Sequence, residues 1–443
     1  MTMPHVAVFQ ARRAQLARGM QQGVAVIPTA PERIRNRDSY YPFRFDSYFH
    51  YLTGFPEPEA VLVVVAGHSP RSLLFCRAKD AEREIWDGFR HGPEAARERF
   101  GVDETHPIAK LDEIAPTLFE NQPSIFCAFG ADPAWDARIA GWLNQVRERT
   151  RAGISAPTGI HDVRSLLDEM RLRKGAEEIA LMRRAADIAG AAHVRAMRHV
   201  RPGMRENEVE AELLHEFRRQ GAQSPSYTPI VAAGANACVL HYVQNDAPMH
   251  DGDLLLIDAG CEVEGYASDI TRTFPVNGRF SPAQREVYDL VLAAQHAALD
   301  AVRPGAAWDE PHEAAVRVLA QGFIDLGLVR GDLDRVLEAG DYKRFYMHRT
   351  GHWLGLDVHD AGDYKRSGVW RALEPGMALT VEPGCYIRPA DDVPERFWNI
   401  GVRIEDDVVV TEAGCGILTG GAPKRAEEIE ALMADARTSA STA

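Results

Sequence analysis

The chain has 443 residues, 45% of them hydrophobic and 26% charged, with a formal net charge of -14. That length exceeds one ordinary core and predicts two domains. The acidic balance argues against a nucleic-acid partner, which would demand a basic stripe, and no run approaches the roughly 18 apolar residues of a membrane-spanning segment. The opening stretch MTMPHVAVFQARRAQLARGM lacks the basic-then-apolar order of a secretory leader. The six cysteines (76, 127, 238, 261, 385 and 415) form no CxxC pair. They read as small buried residues in a reducing, cytoplasmic setting, without a thiolate zinc site.

In chain order, AVLVVVAG (60–67) and RSLLFC (71–76) predict neighbouring strands, and PSIFCAFG (123–130) a third. Helices are expected over PEAARERF (93–100) and AWDARIAGWLNQVRER (134–149). Together these describe a small α/β domain. The texture changes at TRAGISAPTGIHDVRSLLDEMRLRK (150–174), which reads as an irregular connection ending in a short helix. A boundary near residue 174 gives domains 1–174 and 175–443. The second domain opens on an amphipathic helix over 175–200, with Ile179, Met182, Ala186 and Ile188 near one face. Arg201-Pro202-Gly203 stops it, and a second helix follows over 207–221. The pattern then returns. SPAQREVYDLVLAAQHAALDAV ends in Arg303-Pro304-Gly305, and PHEAAVRVLAQGFIDLG (311–327) follows. Strand-like runs come after each helix pair, over 229–274 and 376–411. Helix–RPG–helix–strands used twice points to a duplication whose halves close on one another.

The chemistry-bearing residues lie in this second domain. GDLLLID (252–258) is a near-continuous apolar strand ending in Asp258, and EGYASDITRTF carries Asp269 in the returning run. A hairpin would set the two carboxylates side by side. Close carboxylates repel, so one must be protonated or a cation must lie between them. HRTGHWLGLDVHD (348–360) adds His348, His352 and His359; VEPGCYI adds Glu382 after an apolar strand; GVRIEDDVVV carries Glu405 in a β-branched run. A carboxylate has little reason to stand unpaired in such surroundings. Four carboxylates and one histidine make a dinuclear donor set, and its oxygen-rich character favours a hard or borderline ion such as Mn²⁺. Two such ions about 3.5–4 Å apart, sharing a hydroxide nucleophile, would perform hydrolysis.

SYTPIVAAGANACVLHYVQND, GDLLLIDAGCEVEGYASDITRTFPVNG, HWLGLDVHDAG, LEPGMALTVEPGCYI and GVRIEDDVVVTEAG follow one another in an order and spacing that resembles the bacterial Xaa-Pro aminopeptidases (aminopeptidase P), metal-dependent "pita-bread" peptidases. RNRDSYYPFRFDSYFHYLTGFPEPEAVLVV (35–64) is similar to the family's N-terminal domain. The resemblance implies a small N-terminal α/β domain, then a duplicated α+β pita-bread catalytic domain. It implies two divalent ions, manganese foremost, held by Asp258, Asp269, His352, Glu382 and Glu405, with Asp269 and Glu405 bridging. It implies that His241 contacts the substrate near the scissile bond and that His359 helps bind the peptide and stabilise the tetrahedral intermediate. Glu382 is implied to shuttle a proton, and His348 to line the proline side. Arg403 and Tyr386 would stand behind the ligands, with Asp38 as a partner from the first domain. Arg151 would face the far end of the substrate. Trp86 would be lent to a neighbouring subunit in a homotetramer or homodimer. The expected substrates are peptides with proline at the second position. Prolidase, which uses the same ligands on Xaa-Pro dipeptides, stays open as an alternative, and a scaffold that has lost catalysis is a more distant one. Arg349 departs from the family, which often has a small residue there.

Overall fold

The structure, a computed structural model, describes residues 6–441. It divides into two compact units, the first ending at Arg171 and the second beginning at Leu172. The first is built on a six-stranded mixed sheet. Its strands run across in the order Glu104–Pro107, Arg71–Cys76, Val61–Ala66, Gly23–Pro28, Ser124–Cys127 and Gly159–Asp162. Val61–Ala66 pairs antiparallel with both neighbours, and the outer pairings are parallel. Val24, Val26, Val63, Leu73, Phe75 and Ile125 form its core with Trp142. The 150–174 stretch is not simply a connection: Gly159–Asp162 completes the sheet as an edge strand. Three of its four residues are exposed, so no apolar alternation marks it.

In the second unit, the helices Ala176–His199 and Glu206–Arg219 pack on each other, as do Pro282–Ala301 and Glu310–Asp325. A three-stranded sheet with order Ile230–Ala233, Leu254–Asp258, Thr271–Pro275 follows the first pair. After the second pair come Ala378–Val381 with Asp406–Val410, and Gly384–Ile387 with Ile400–Arg403. The two RPG stops make the same contacts. Gly203 N donates to Met249 O, and Met249 N returns to Met204 O. Gly305 N donates to Leu373 O, and Leu373 N returns to Ala306 O. Antiparallel bridges continue both, Arg205 with Pro248 and Ala307 with Ala372. A stop signal alone would not dictate matching long-range partners, so the repeat is structural. One core of Ile188, Leu255, Ile257, Val291, Leu379, Val402 and Val408 spans both halves.

ARTSASTA (436–443), which reads as a frayed tail, continues the helix Ala426–Ser441 as far as Ser441, and the last two residues lie outside the described ones. Arg437 secures this helix by donating to the carbonyls of Val276 and Asn277.

His193, fully buried on the helix Ala176–His199, donates from Nε2 to Ala259 O at 3.1 Å, and its Nδ1 has no partner among the described residues. It thereby anchors the residue after Asp258. Burial, then the Arg272 charge, pushes its pKa down from 6.5 to about 3. Between those values the unfolded chain binds the extra proton, so stability rises with pH through this window and is lost on acidification. The slope is at most about 1.4 kcal/mol per pH unit. His193→Gln should flatten the pH dependence of urea unfolding between pH 4 and 6.5; an unchanged slope would refute this.

Candidate active site

Local sequence places the acids. Asp258 ends the strand Leu254–Asp258 and lies opposite Thr271, not opposite Asp269. A smaller hairpin, Cys261–Val263 with Tyr266–Ala267, intervenes in a separate sheet. Asp269 therefore precedes the returning strand Thr271–Pro275 and is no cross-strand partner of Asp258. Gly260 makes this detour feasible, because a Cβ there would lie 1.8 Å from Ser268 O. Glu405 also lies between strands rather than within one, after Ile400–Arg403 and before Asp406–Val410. Gly351 brings in His352: a Cβ would sit 2.1 Å from Thr380 O, and without one His352 O accepts from Thr380 N at 3.0 Å. Glu382 follows directly, its amide donating to Thr350 O at 2.8 Å.

Asp258, Asp269, His352, Glu382 and Glu405 meet in one cavity of about 800 Å³, which His241, His348, Arg349, His359, Arg403, Tyr227, Trp308, Tyr364 and Trp370 also line. Donor atoms of Asp269, His352 and Glu405 lie within 4.8 Å of one another. Two features fit this cluster to a divalent cation. First, His352 Nδ1 donates to Trp353 O at 2.9 Å, so a neutral ring turns its Nε2 lone pair toward Asp269 Oδ2, 3.3 Å away. Two lone pairs cannot face each other stably, and either a proton or a metal must lie between them. Secondly, the Tyr227 hydroxyl contacts Asp258 Oδ1 and Asp269 Oδ1, each at 2.5 Å. One phenolic proton cannot serve two carboxylates.

The electrostatics agree. Burial raises Asp258, against the opposing Arg403 charge, and raises Glu382 to about 7, against His352 and Arg403. Burial, then repulsion from Asp269 and Glu382, lifts Glu405 well above the usual range. Burial disfavours the His352 cation, but the Asp269 hydrogen bond and the Glu382 charge win, raising it to about 9. The cluster thus holds more negative charge than Arg403 and one imidazolium offset, as a hard-cation site requires.

Behind the acids runs a directional chain. Arg403, only 4% exposed, donates to Asp258 Oδ2 (2.6 Å), Tyr386 Oη (3.0 Å) and Thr271 Oγ1 (3.2 Å). Tyr386 donates to His348 Nε2 at 2.8 Å, and His348 Nδ1 donates to Arg349 O at 2.8 Å. Burial, then Arg403, pushes His348 down to about 3, so it stays a neutral acceptor. Burial also lowers His359, whose ring packs edge-on against His352 at 4.3 Å between centroids. Sequence reasoning missed Tyr227, Thr271 and Asp407. Thr271 Oγ1 donates to Glu405 Oε2 at 2.6 Å, and Asp407 Oδ2 accepts from Asp269 N at 2.9 Å. Tyr227 sits in the quoted SYTPIV run, yet nothing local marks a tyrosine as a carboxylate donor. Trp86 and Arg151 lie in the first unit, both exposed, on the helix Ala81–Asp87 and the turn Arg149–Ala152. Asp38 is exposed in the turn between two short strands of that unit.

Two family models match: metallopeptidase family M24 over residues 180–412, and the aminopeptidase P N-terminal domain over residues 9–126. The Xaa-Pro aminopeptidase of Escherichia coli (strain K12) is 48% identical over 432 residues, 97% of this chain and 98% of that one. The structure of Pseudomonas aeruginosa aminopeptidase PepP superposes with a TM-score of 0.97 at 51% identity, covering 99% of this chain and 100% of that one. Zinc-substituted E. coli aminopeptidase P in complex with product gives 0.96 at 47% identity, over 98% and 100% of the two chains. With an acid-rich cluster built in a duplicated fold and this similarity running almost end to end, the chain belongs to metallopeptidase family M24, as a member of its Xaa-Pro aminopeptidase group.

Proposed function

We propose that this protein is a metal-dependent aminopeptidase that hydrolyses the bond between an N-terminal residue and a following proline. The observation that carries the reading is His352 Nε2 set 3.3 Å from Asp269 Oδ2 amid three further carboxylates. Asp258, Asp269, His352, Glu382 and Glu405 would hold two divalent ions, and manganese suits this oxygen-rich set. Ions held there supply an acidified water and polarise the scissile carbonyl.

The chain's own side chains do the rest. Glu382, a carboxylate on the cavity wall beside His352 and Arg403, is placed to accept a proton and return it to the leaving nitrogen. The leaving group is a proline ring nitrogen, a tertiary amide with no N–H to grip, so protonating it is essential. His348, oriented by Tyr386, and His359, whose pKa burial lowers, offer ring atoms to the peptide, and His241 lines the cavity from its exposed side. Trp308, Tyr364 and Trp370 give the apolar wall that a proline ring needs.

The protein works as a homodimer or homotetramer. In support, Trp86 is 81% exposed and stands beside exposed Ile85 and Phe89, an apolar tip suited to a neighbouring subunit. Among the described residues no helix is long and apolar enough to cross a membrane. The cysteines, none in a disulfide, suit a reducing cytoplasm.

The test is hydrolysis of an Xaa-Pro-Yaa tripeptide and an Xaa-Pro dipeptide before stripping with chelator, after it, and after adding back Mn²⁺, Zn²⁺ or Mg²⁺. Release of free Xaa from the tripeptide should vanish on stripping and return best with Mn²⁺. A normal rate in fully stripped protein would overturn the reading, and preference for the dipeptide would make it a prolidase.

A further inference from the structure

We infer that Arg349 is a specificity-determining residue that recognises a carboxylate on the substrate residue following the proline. The inference rests on the Xaa-Pro reading above. Arg349 lines the same cavity as the four acids, but its side chain is exposed where theirs are largely buried. Its guanidinium lies 5.1 Å from the centre of the Trp370 ring, which also lines the cavity. Among the described residues no carboxylate is within ion-pair distance of it. The cavity's other guanidinium, Arg403, is fully committed to Asp258, Tyr386 and Thr271. Arg349 is therefore the one permanent cation of the cavity, among the described residues, that is available to a ligand.

Its placement is held from both sides. His348 donates to its carbonyl at 2.8 Å, and the next residue, Thr350, is fixed through its hydroxyl by Tyr346 (2.6 Å) and His312 (2.8 Å). Trp370 belongs to the ribbon Lys365–Arg366 with Val369–Trp370, and the Lys365 ammonium lies 4.0 Å from the same indole. Two cations held near one aromatic ring repel, and an anion bound to Arg349 offsets that repulsion.

The direction of the peptide follows from its chemistry. The scissile carbonyl must reach the buried acids. A substrate of any length is open-ended only beyond its proline, so that part leaves along the exposed side, past Arg349. An N-terminal ammonium would be repelled there. The first carboxylate available is the C-terminus of a tripeptide or an acidic side chain on the third residue. A guanidinium pre-set on an aromatic face suits such a group in a forked hydrogen bond.

The experiment compares Ala-Pro-Ala, Ala-Pro-Ala-amide and Ala-Pro-Glu-amide on the metal-loaded enzyme, its Arg349→Met variant and its Arg349→Lys variant, with KM and kcat measured separately. The wild type should bind the free acid about tenfold more tightly than the plain amide. In Arg349→Met that ratio should fall toward one through KM, with Arg349→Lys recovering part of it. A low KM for Ala-Pro-Glu-amide extends recognition to side-chain carboxylates; a high one restricts it to the C-terminus. An acid-to-amide ratio near one in the wild type, a test independent of how any variant folds, overturns the inference, as does an unchanged ratio in Arg349→Met. Failure to cleave all three peptides would instead sink the underlying Xaa-Pro reading.

Discussion

Glu405→Gln is expected to lower Xaa-Pro hydrolysis by about a thousandfold or more, if Glu405 is the shared metal ligand that the family resemblance implies, while raising the stability of the metal-free protein. The two effects share one cause. Glu405 is 1% exposed and accepts from Thr271 Oγ1 at 2.6 Å, but Asp269, Glu382 and Asp258 all repel its charge. Glutamine keeps the shape and removes the charge. For an acid whose folded pKa is raised, the unfolded chain is the better proton donor. Its contribution is therefore fully favourable below the unfolded pKa and is lost as pH rises toward the folded value. For Glu382, that window runs from 4.5 to about 7. Glu382's own contribution to the stability of the metal-free protein should fall across it, opposite in sign to the His193 effect. Metal-free Glu405→Gln should melt roughly 5 °C higher at pH 7.5. Added Mn²⁺ should raise the melting temperature of the wild type and not that of the variant. Equal activity, or equal stabilisation by Mn²⁺, would remove Glu405 from the ligand set.

Arg403→Met should destabilise the protein by about 3 kcal/mol, as removal of one partner from a buried ion pair does, and lower kcat/KM by about a hundredfold. Arg403 donates to Asp258, Tyr386 and Thr271, so we assign it a positioning role. Without it Asp258 Oδ2 loses its 2.6 Å donor, and Tyr386 loses the group that turns its hydroxyl toward His348. Arg403→Lys should recover little, because one ammonium cannot reach the acceptors on Asp258, Tyr386 and Thr271 at once. Denaturant unfolding and tripeptide kinetics measure the two effects separately. Full activity in Arg403→Lys would show that charge alone suffices there and that the hydrogen-bond chain does not matter.

Both experiments turn on residues of very different legibility. Asp258 announces itself because an acid after Leu254, Leu255, Leu256 and Ile257 has no cheap reason to be there. The RPG repeat is legible because a helix stop is local chemistry. Tyr227 and Thr271 carry no such mark: a tyrosine before a strand and a threonine in one are ordinary residues. They matter only because Asp258, Asp269 and Glu405 arrive beside them. The strand Gly159–Asp162 was hidden for a related reason, since an exposed edge position needs no apolar pattern.

Sequence alone determined the duplicated helix–stop–helix–strand plan, the α/β texture of the first unit and the acid and histidine types, because periodicity, caps and misplaced charges are written within a few residues. Only the tertiary structure decided that Asp258 and Asp269 meet through Tyr227 and not across a hairpin, that His352 presents Nε2 and not Nδ1, and that Arg349 lies over Trp370 with no carboxylate partner among the described residues. Those outcomes depend on which distant carbonyl, carboxylate or ring comes within about 3–5 Å, and hydrogen-bond direction and charge balance are properties of such encounters.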